Sequence, residues 1–364
     1  MSSIFWMTGL SFLILGFISF IPYMTRKTEN FGVSIPESMY HRADFKHMRK
    51  MYTFIMLIIF VLFIALLTLI SFYTSEKVIY IVYIISIFLY LISGFLVYLP
   101  FYKKMKNIKR SENWQLDKQP TLVVDTNFRQ EKLTISYFWY IIPFIICVIT
   151  WGITWIWYDQ IPDQVPIHND LAGNITYSDK TVGTVALLPF TQLFLLVTFL
   201  FVHYIINVSK QQTNAENPKV SIKQNILYRR IWSIFMLISG IIIILLFSFM
   251  QLTFIYPSLI KYEDIAVLVT IGIILIGTII LSIVTGQGGS RINIDKPMNE
   301  EVMDRDEDYH WKLGQFYFNK DDPALFIEKR FGVGWTNNWA RPMSWILLLL
   351  VLLLAFAPLL LVFI

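Results

Sequence analysis

The 364-residue sequence predicts an all-α polytopic membrane protein with about eight transmembrane helices and a small cytoplasmic segment, carrying a short β-hairpin, before the last helix. Three observations predict it. Hydrophobic residues make up 56% of the chain and charged residues only 15%, against roughly 25% charged in soluble domains. The apolar residues gather in runs long enough, at 1.5 Å per helical residue, to cross ~30 Å of hydrocarbon. The runs do not alternate as barrel strands do, and backbone groups inside lipid must bond within their own segment, which makes each run a helix.

The expected spans are Ile4–Met24, Met51–Tyr73, Val78–Tyr102, Leu133–Tyr158, Val182–Val208, Ile231–Tyr256, Ile265–Thr285 and Met343–Ile364. The short link Thr74–Lys77 admits only an antiparallel hairpin of the second and third. The opening MSSIFW has no basic n-region and no small-residue cleavage site follows, so the first span is expected to stay. The chain then divides into a three-span region with basic inner loops (1–132), a two-span unit carrying an outer loop (133–208), two further spans (209–285), a cytoplasmic aromatic and basic segment (286–342) and the last span (343–364).

Charge sets the direction. With the N-terminus outside, every Lys and Arg except Lys77, Lys180 and Lys261 falls in the inner segments 25–50, 103–132, 209–230 and 286–342. The reverse topology inverts this bias, so both termini are expected outside a bacterial cell membrane. The pI near 9.0 then reflects an inner face meeting anionic lipid, with no nucleic acid needed.

The outer loop YDQIPDQVPIHNDLAGNITYSDK gathers Asp159, Asp163, His168, Asp170 and Asp179. Carboxylates with an imidazole can hold a divalent cation, but no pair has a ligand spacing on a helix. Pro162, Pro166 and Gly173 predict an irregular, rigid, solvated turn structure. Trp151, Trp155 and Tyr158 nearby read as an interfacial aromatic belt.

On the inner face, Asp304-x-Asp306-x-Asp308 begins like an EF-hand loop, but Tyr309 stands at the glycine and Gln315 at the bidentate Glu. A solvated charged face is the expectation. In GQGGSR, the glycines Gly286, Gly288 and Gly289 before Arg291 could cradle a phosphate. Lacking a Lys-Ser/Thr pair, they read instead as a helix cap and swivel. In WKLGQFYFNKDDPALFIEKRFGVGWTNNWARP, the turn NKDDP between apolar runs predicts a hairpin. Trp311, Trp335 and Trp339 are expected to lean on headgroups, with Lys329, Arg330 and Arg341 on lipid phosphates. The tripeptide FGV occurs at Phe31–Val33 and Phe331–Val333, a match too short to exceed chance.

No expected span carries Asp, Glu, Lys or Arg centrally; Gln192, His203 and Gln251 are its strongest polar groups. That argues against an ion-coupled pump. Intramembrane protease motifs are absent, and the single cysteine, Cys147, reads as a buried apolar residue. No catalytic residue, metal site or cofactor is assigned.

The segment IPDQVPIHNDLAGNITYSDK after a span resembles the Pro-His-Gly-Lys loop of the SdpI-like bacterial membrane protein family, through Pro162, Pro166, His168, Gly173 and Lys180. It departs at Asn169, where an aromatic is usual, and is one residue short before Lys180. The later segment is similar to a domain of unknown function that accompanies this loop, through Trp311, Gly314, Asn319, Asp322, Pro323, Lys329, Arg330, Phe331, Gly332, Gly334 and Asn338. The resemblance implies immunity to a secreted peptide toxin and retention of a cytoplasmic regulator. The expectation is a non-enzymatic membrane protein for immunity, sensing or envelope stress. The alternatives are a transporter or permease component for an apolar or amphiphilic compound, and a metal-dependent membrane enzyme using the outer His and carboxylates.

Overall fold

Apolar runs of this length do become helices. A computed structural model of the chain describes residues 9, 15–74, 76–114, 131–169, 175–212, 218–294 and 308–361. Its long helices are α1 (Ala43–Ser71), α2 (Glu76–Ser111), α3 (Ile141–Ile156), α4 (Val182–Val208), α5 (Pro218–Ile255), α6 (Glu263–Thr285) and α7 (Pro342–Leu361). Six helices among the described residues are long and apolar enough to cross a membrane, α1 to α6 in order. Of the expected first span, Ile4–Met24, residues 9 and 15–24 are described, and a turn at Ser19 and Phe20 separates helical residues 15–18 from the short helix Ile21–Met24. The structure therefore supports six spans where the sequence predicted about eight.

Three helices outrun their apolar stretches. α1 begins at Ala43 rather than Met51, α2 ends at Ser111 rather than Tyr102, and α5 begins at Pro218 rather than Ile231. The basic run KKMKNIKR is thus the end of a helix and not a loop. Hydropathy counts only apolar content, whereas these polar ends are held by single buried residues at helical spacing. They are Phe45 and Met48 in α1, Met105 in α2, and Val220 and Tyr228 in α5.

The described chain forms two compact units. One comprises the described residues within 131–207 and 229–281. Here Tyr140 and Cys147 pack with Leu196, Leu237 and Ile244, so the cysteine is indeed buried. Small residues let elements close up: a Cβ on Gly277 would sit 2.7 Å from the Phe235 ring. The intramembrane polar groups bond locally. Gln192 donates to the Ile244 carbonyl (2.9 Å) and Ser248 Oγ (2.8 Å), Gln251 donates to the Val185 carbonyl (3.2 Å), and His203 meets Thr134 Oγ1 at 3.1 Å.

The other unit comprises 15–130, 208–228 and 282–364. Its core is a stripe on α1, Phe45, Met48, Tyr52, Met56, Phe60, Phe63 and Leu67, spaced three or four residues apart. The stripe packs on Tyr90, Tyr98 and Met105 of α2. A small hairpin, β1 (Glu29–Asn30) with β2 (Val33–Ser34), precedes α1.

Candidate functional site

Two regions gather the chemistry. In the first unit, the loop after α3 forms an antiparallel hairpin, β3 (Gln164–Asn169) with β4 (Ile175–Asp179), instead of the irregular turns expected. Pro166 is accommodated because both strands are edges and the register shifts between Pro166 and His168. Ile161 and Val165 anchor the hairpin by packing with Val185, Phe254 and Ile255. Lys180 closes its base. The Lys180 amide donates to the Asp163 carbonyl (2.7 Å), and its ammonium donates to the Ile161 carbonyl (2.8 Å) while lying 4.7 Å from the Tyr158 ring centroid.

The sequence-selected residues disperse along this hairpin. Asp159 is exposed in a 3-10 turn, Pro162 and Asp163 lead into β3, and His168 pairs with Thr176 across the strands. The Asp179 carboxylate accepts from Gln164 at 3.2 Å. Asp170 and Gly173 lie outside the described residues. Among the described residues, no three His, Cys, Asp or Glu side chains converge as a metal site.

The second unit contains a domain of two hairpins rather than one. β5 (Trp311–Lys312) turns through Leu313 and Gly314 into β6 (Phe316–Tyr317), and β7 (Phe326–Glu328) pairs with β8 (Trp335–Asn337). Gly314 has φ +71, and a Cβ there would meet Tyr102 at 2.9 Å. NKDDP links β6 to β7 instead of closing a hairpin, because its side chains are committed to the domain. Asp322 Oδ2 accepts from Tyr317 (2.8 Å) and Lys210 (2.6 Å), and its Oδ1 accepts from the Ala324 amide (2.9 Å) across Pro323. Burial pushes the Asp322 carboxyl up, but Lys210 and these donors hold it below its ordinary range. Asn338 clamps the same corner, accepting from the Asn319 amide and donating to the Asn319 and Asp322 carbonyls.

GQGGSR serves this domain too. Gly286, at φ +61, ends α6 as a cap. Between it and Gly288, the buried Gln287 donates to the Lys329 and Gly334 carbonyls (3.0 and 2.9 Å) and accepts from the Gly334 amide (2.7 Å). The left-handed Gly288 leaves room for a guanidinium: a Cβ there would meet Arg26 at 2.5 Å. Gly289 is also left-handed, and Arg291 donates back to the Ile283 carbonyl at 2.7 Å. The nest is therefore filled by protein.

Beside it runs a buried chain of charges. Glu328 is fully buried; it binds Arg26 and accepts from Asn225 at 2.5 Å. Glu29 lies 4.0 Å from Arg26 and 3.9 Å from Arg330. Arg330 binds Asp308, whose other oxygen accepts from Lys109 at 2.7 Å. Burial raises the Glu29 carboxyl to about 7, with Arg26 and Arg330 opposing. At Asp308, burial is outweighed by Arg330 and Lys109, and the carboxyl stays below its ordinary range.

This corrects several expectations. Trp311 is 2% exposed, packed on Tyr317 and Ile327 with the Arg330 guanidinium 5.0 Å over its ring, so neither residue leans on headgroups. Trp335 packs on Tyr228 with centroids 5.6 Å apart, and Arg341 donates to the Asp322 carbonyl at 2.7 Å. Asp308 is an ion-pair partner rather than part of a solvated face. Sequence reasoning missed Arg26, Glu29, Lys109, Asn225 and Glu328, each charged or polar in a stretch that reads as solvated loop or helix end. The signal that could have found Arg26 is its place after an apolar run opposite glycines needing left-handed backbone.

Residues 145–193 match the model of a Domain of unknown function (DUF1648), and residues 320–345 match a Family of unknown function (DUF5808). No curated protein and no solved structure matches the chain.

Proposed function

We propose that this chain is a bacterial SdpI-like membrane protein that protects or senses without catalysing a reaction. Both termini would lie outside, with the β3–β4 hairpin facing an extracellular peptide and the two-hairpin domain facing a cytoplasmic regulator and the inner leaflet. One observation carries the reading: the DUF1648 segment coincides with α3, a firmly anchored hairpin and the start of α4. A short hairpin anchored between two spans presents an exposed surface, with Ile167 and Tyr177 both about half exposed. The polar groups of that bundle support the same view, since Gln192 and Gln251 bond to neighbouring helices and His203 bonds to Thr134 in the segment before α3.

Deleting the gene and challenging cells with secreted peptide toxins tests the proposal. Increased sensitivity to one toxin, restored by the wild-type gene, is the expected result. Unchanged sensitivity across the panel counts against it, and substrate flux through proteoliposomes would replace it with a transporter.

A further inference from the structure

The second unit holds a cavity of about 280 Å³ that the charge chain borders. Its wall includes Tyr102, Lys106, Lys109, Arg110, Asp308 and Trp311. The three cations sit at i, i+3 and i+4 near the C-terminal end of α2, which places them on one helix face. Asp308 does not neutralise them all. Its Oδ1 accepts from Ser34 Oγ (2.8 Å) and from Arg330, and its Oδ2 accepts from Lys109. Lys106 and Arg110 are exposed, and no carboxylate among the described residues lies within ion-pair distance of either. A second observation is independent of charge. Trp311 is 2% exposed, yet its indole N–H has no acceptor among the described residues, and buried donors are ordinarily bonded.

We infer that this cavity binds a phosphate group. A phosphate brings up to two charges and three acceptor oxygens, which matches two uncompensated cations and a donor without an acceptor. A carboxylate would leave one cation uncompensated. The volume lies just below the ~300–1,000 Å³ typical of small-molecule sites. It suits a headgroup or a small phosphate ester. This deepens the lipid-facing part of the proposed function, but it stands on the cavity alone, so a toxin-challenge failure leaves it intact.

The test uses the full chain purified in detergent. Native mass spectrometry measures retention of phosphatidylglycerol against dioleoylglycerol, and thermal unfolding follows titration with inorganic phosphate. The expected result is phosphate-dependent retention or stabilisation, weakened about tenfold or more in K106Q/R110Q. Trp311→Phe, which keeps the ring and removes the donor, should weaken it roughly 2- to 10-fold. Lipid retention lost in the double variant identifies a headgroup as the source; a response to inorganic phosphate alone identifies a soluble phosphate ester. Equal behaviour of wild type and K106Q/R110Q in both assays, or no response by wild type in either, overturns the inference. Circular dichroism of each variant checks that the helices persist.

Discussion

Phe31 and Phe331 stack on one another, with ring centroids 5.7 Å apart and planes 25° from parallel. Tyr98 completes the contact at 4.7 Å from the Phe331 ring, and its hydroxyl lies within hydrogen-bonding reach of both the Phe31 and Leu313 carbonyls. The two FGV tripeptides thus meet in space and fasten the β1–β2 hairpin to the two-hairpin domain. Truncating Phe331 to Ala should cost about 2–4 kcal/mol by leaving a void beside Tyr52 and Tyr98. Denaturant unfolding in detergent measures it; a loss well under 1 kcal/mol would show that the stack contributes little.

Gly32 is the most constrained position in that contact. Its φ is +73, and a Cβ would lie 2.5 Å from the Tyr98 hydroxyl and would also clash with the Gly314 carbonyl. Gly32→Ala should therefore destabilise by about 1–3 kcal/mol or more, backbone strain adding to the clash. The melting temperature of the purified variant reads this directly.

Removing one partner of a buried ion pair strands the other. Glu328→Leu leaves the buried Arg26 guanidinium with only the longer carboxylate contact to Glu29 and removes the carboxylate that accepts from Asn225, with an expected loss of about 3–5 kcal/mol. Arg26→Met combined with Glu328→Leu should recover part of that loss, because no lone charge remains buried. A double variant no more stable than Glu328→Leu would refute the pairing as the cause.

Glu29 makes stability depend on pH in a definite sense. Its ordinary value is 4.5 and its folded value about 7, so between those limits the folded state holds a proton that the unfolded chain has released. Stability is then greatest below about pH 4.5 from this group, falls as pH rises through 7, and is flat above. The full span is on the order of 3 kcal/mol. Asp308 and Asp322 act oppositely. Their carboxyls are held low, so the stability they contribute is present above the ordinary carboxylate range and lost as pH falls below it. In Glu29→Gln the decline between about pH 4.5 and 7 should vanish while the acid limb persists, as thermal unfolding across pH would reveal.

Lys180 should be worth more to the β3–β4 hairpin than its surface position implies. Lys180→Met removes the ammonium from the Ile161 carbonyl and from the Tyr158 ring, an expected local cost of about 1–2 kcal/mol. Hydrogen exchange of the hairpin amides should accelerate by roughly tenfold, while α3 and α4 amides keep their protection. Uniform exchange across all three elements would rule out a local clamp.

The helices were legible because length and apolarity decide them without tertiary help, and Val182–Val208 matches to the residue. Helix ends were not, because one buried Met105 among lysines carries too little apolar content to register in a hydropathy window. The β3–β4 hairpin was obscured by Pro166, which argues against a strand unless the strand is an edge. The charge chain was least legible. Glu29 and Glu328 lie far apart in sequence, and only folding turns two solvated-looking carboxylates into buried partners of Arg26. The aromatic segment misled for a related reason: Trp311 and Arg330 are residues that favour headgroups, but here the guanidinium lies over the indole ring inside the domain.

Helix α2 has 36 residues and so measures about 54 Å, well beyond the ~30 Å of a bilayer's hydrocarbon. Its one interior proline, Pro100, lacks an amide and so leaves the Leu96 carbonyl without its usual helical donor. Residues 101–111 continue the helix beyond that point as a stiff arm of about 16 Å. Met105, fully buried, and Lys109, bonded to Asp308, fix that arm from one side, so Lys106 and Arg110 are carried on a braced strut that needs no flexible loop to reach beyond the apolar stretch.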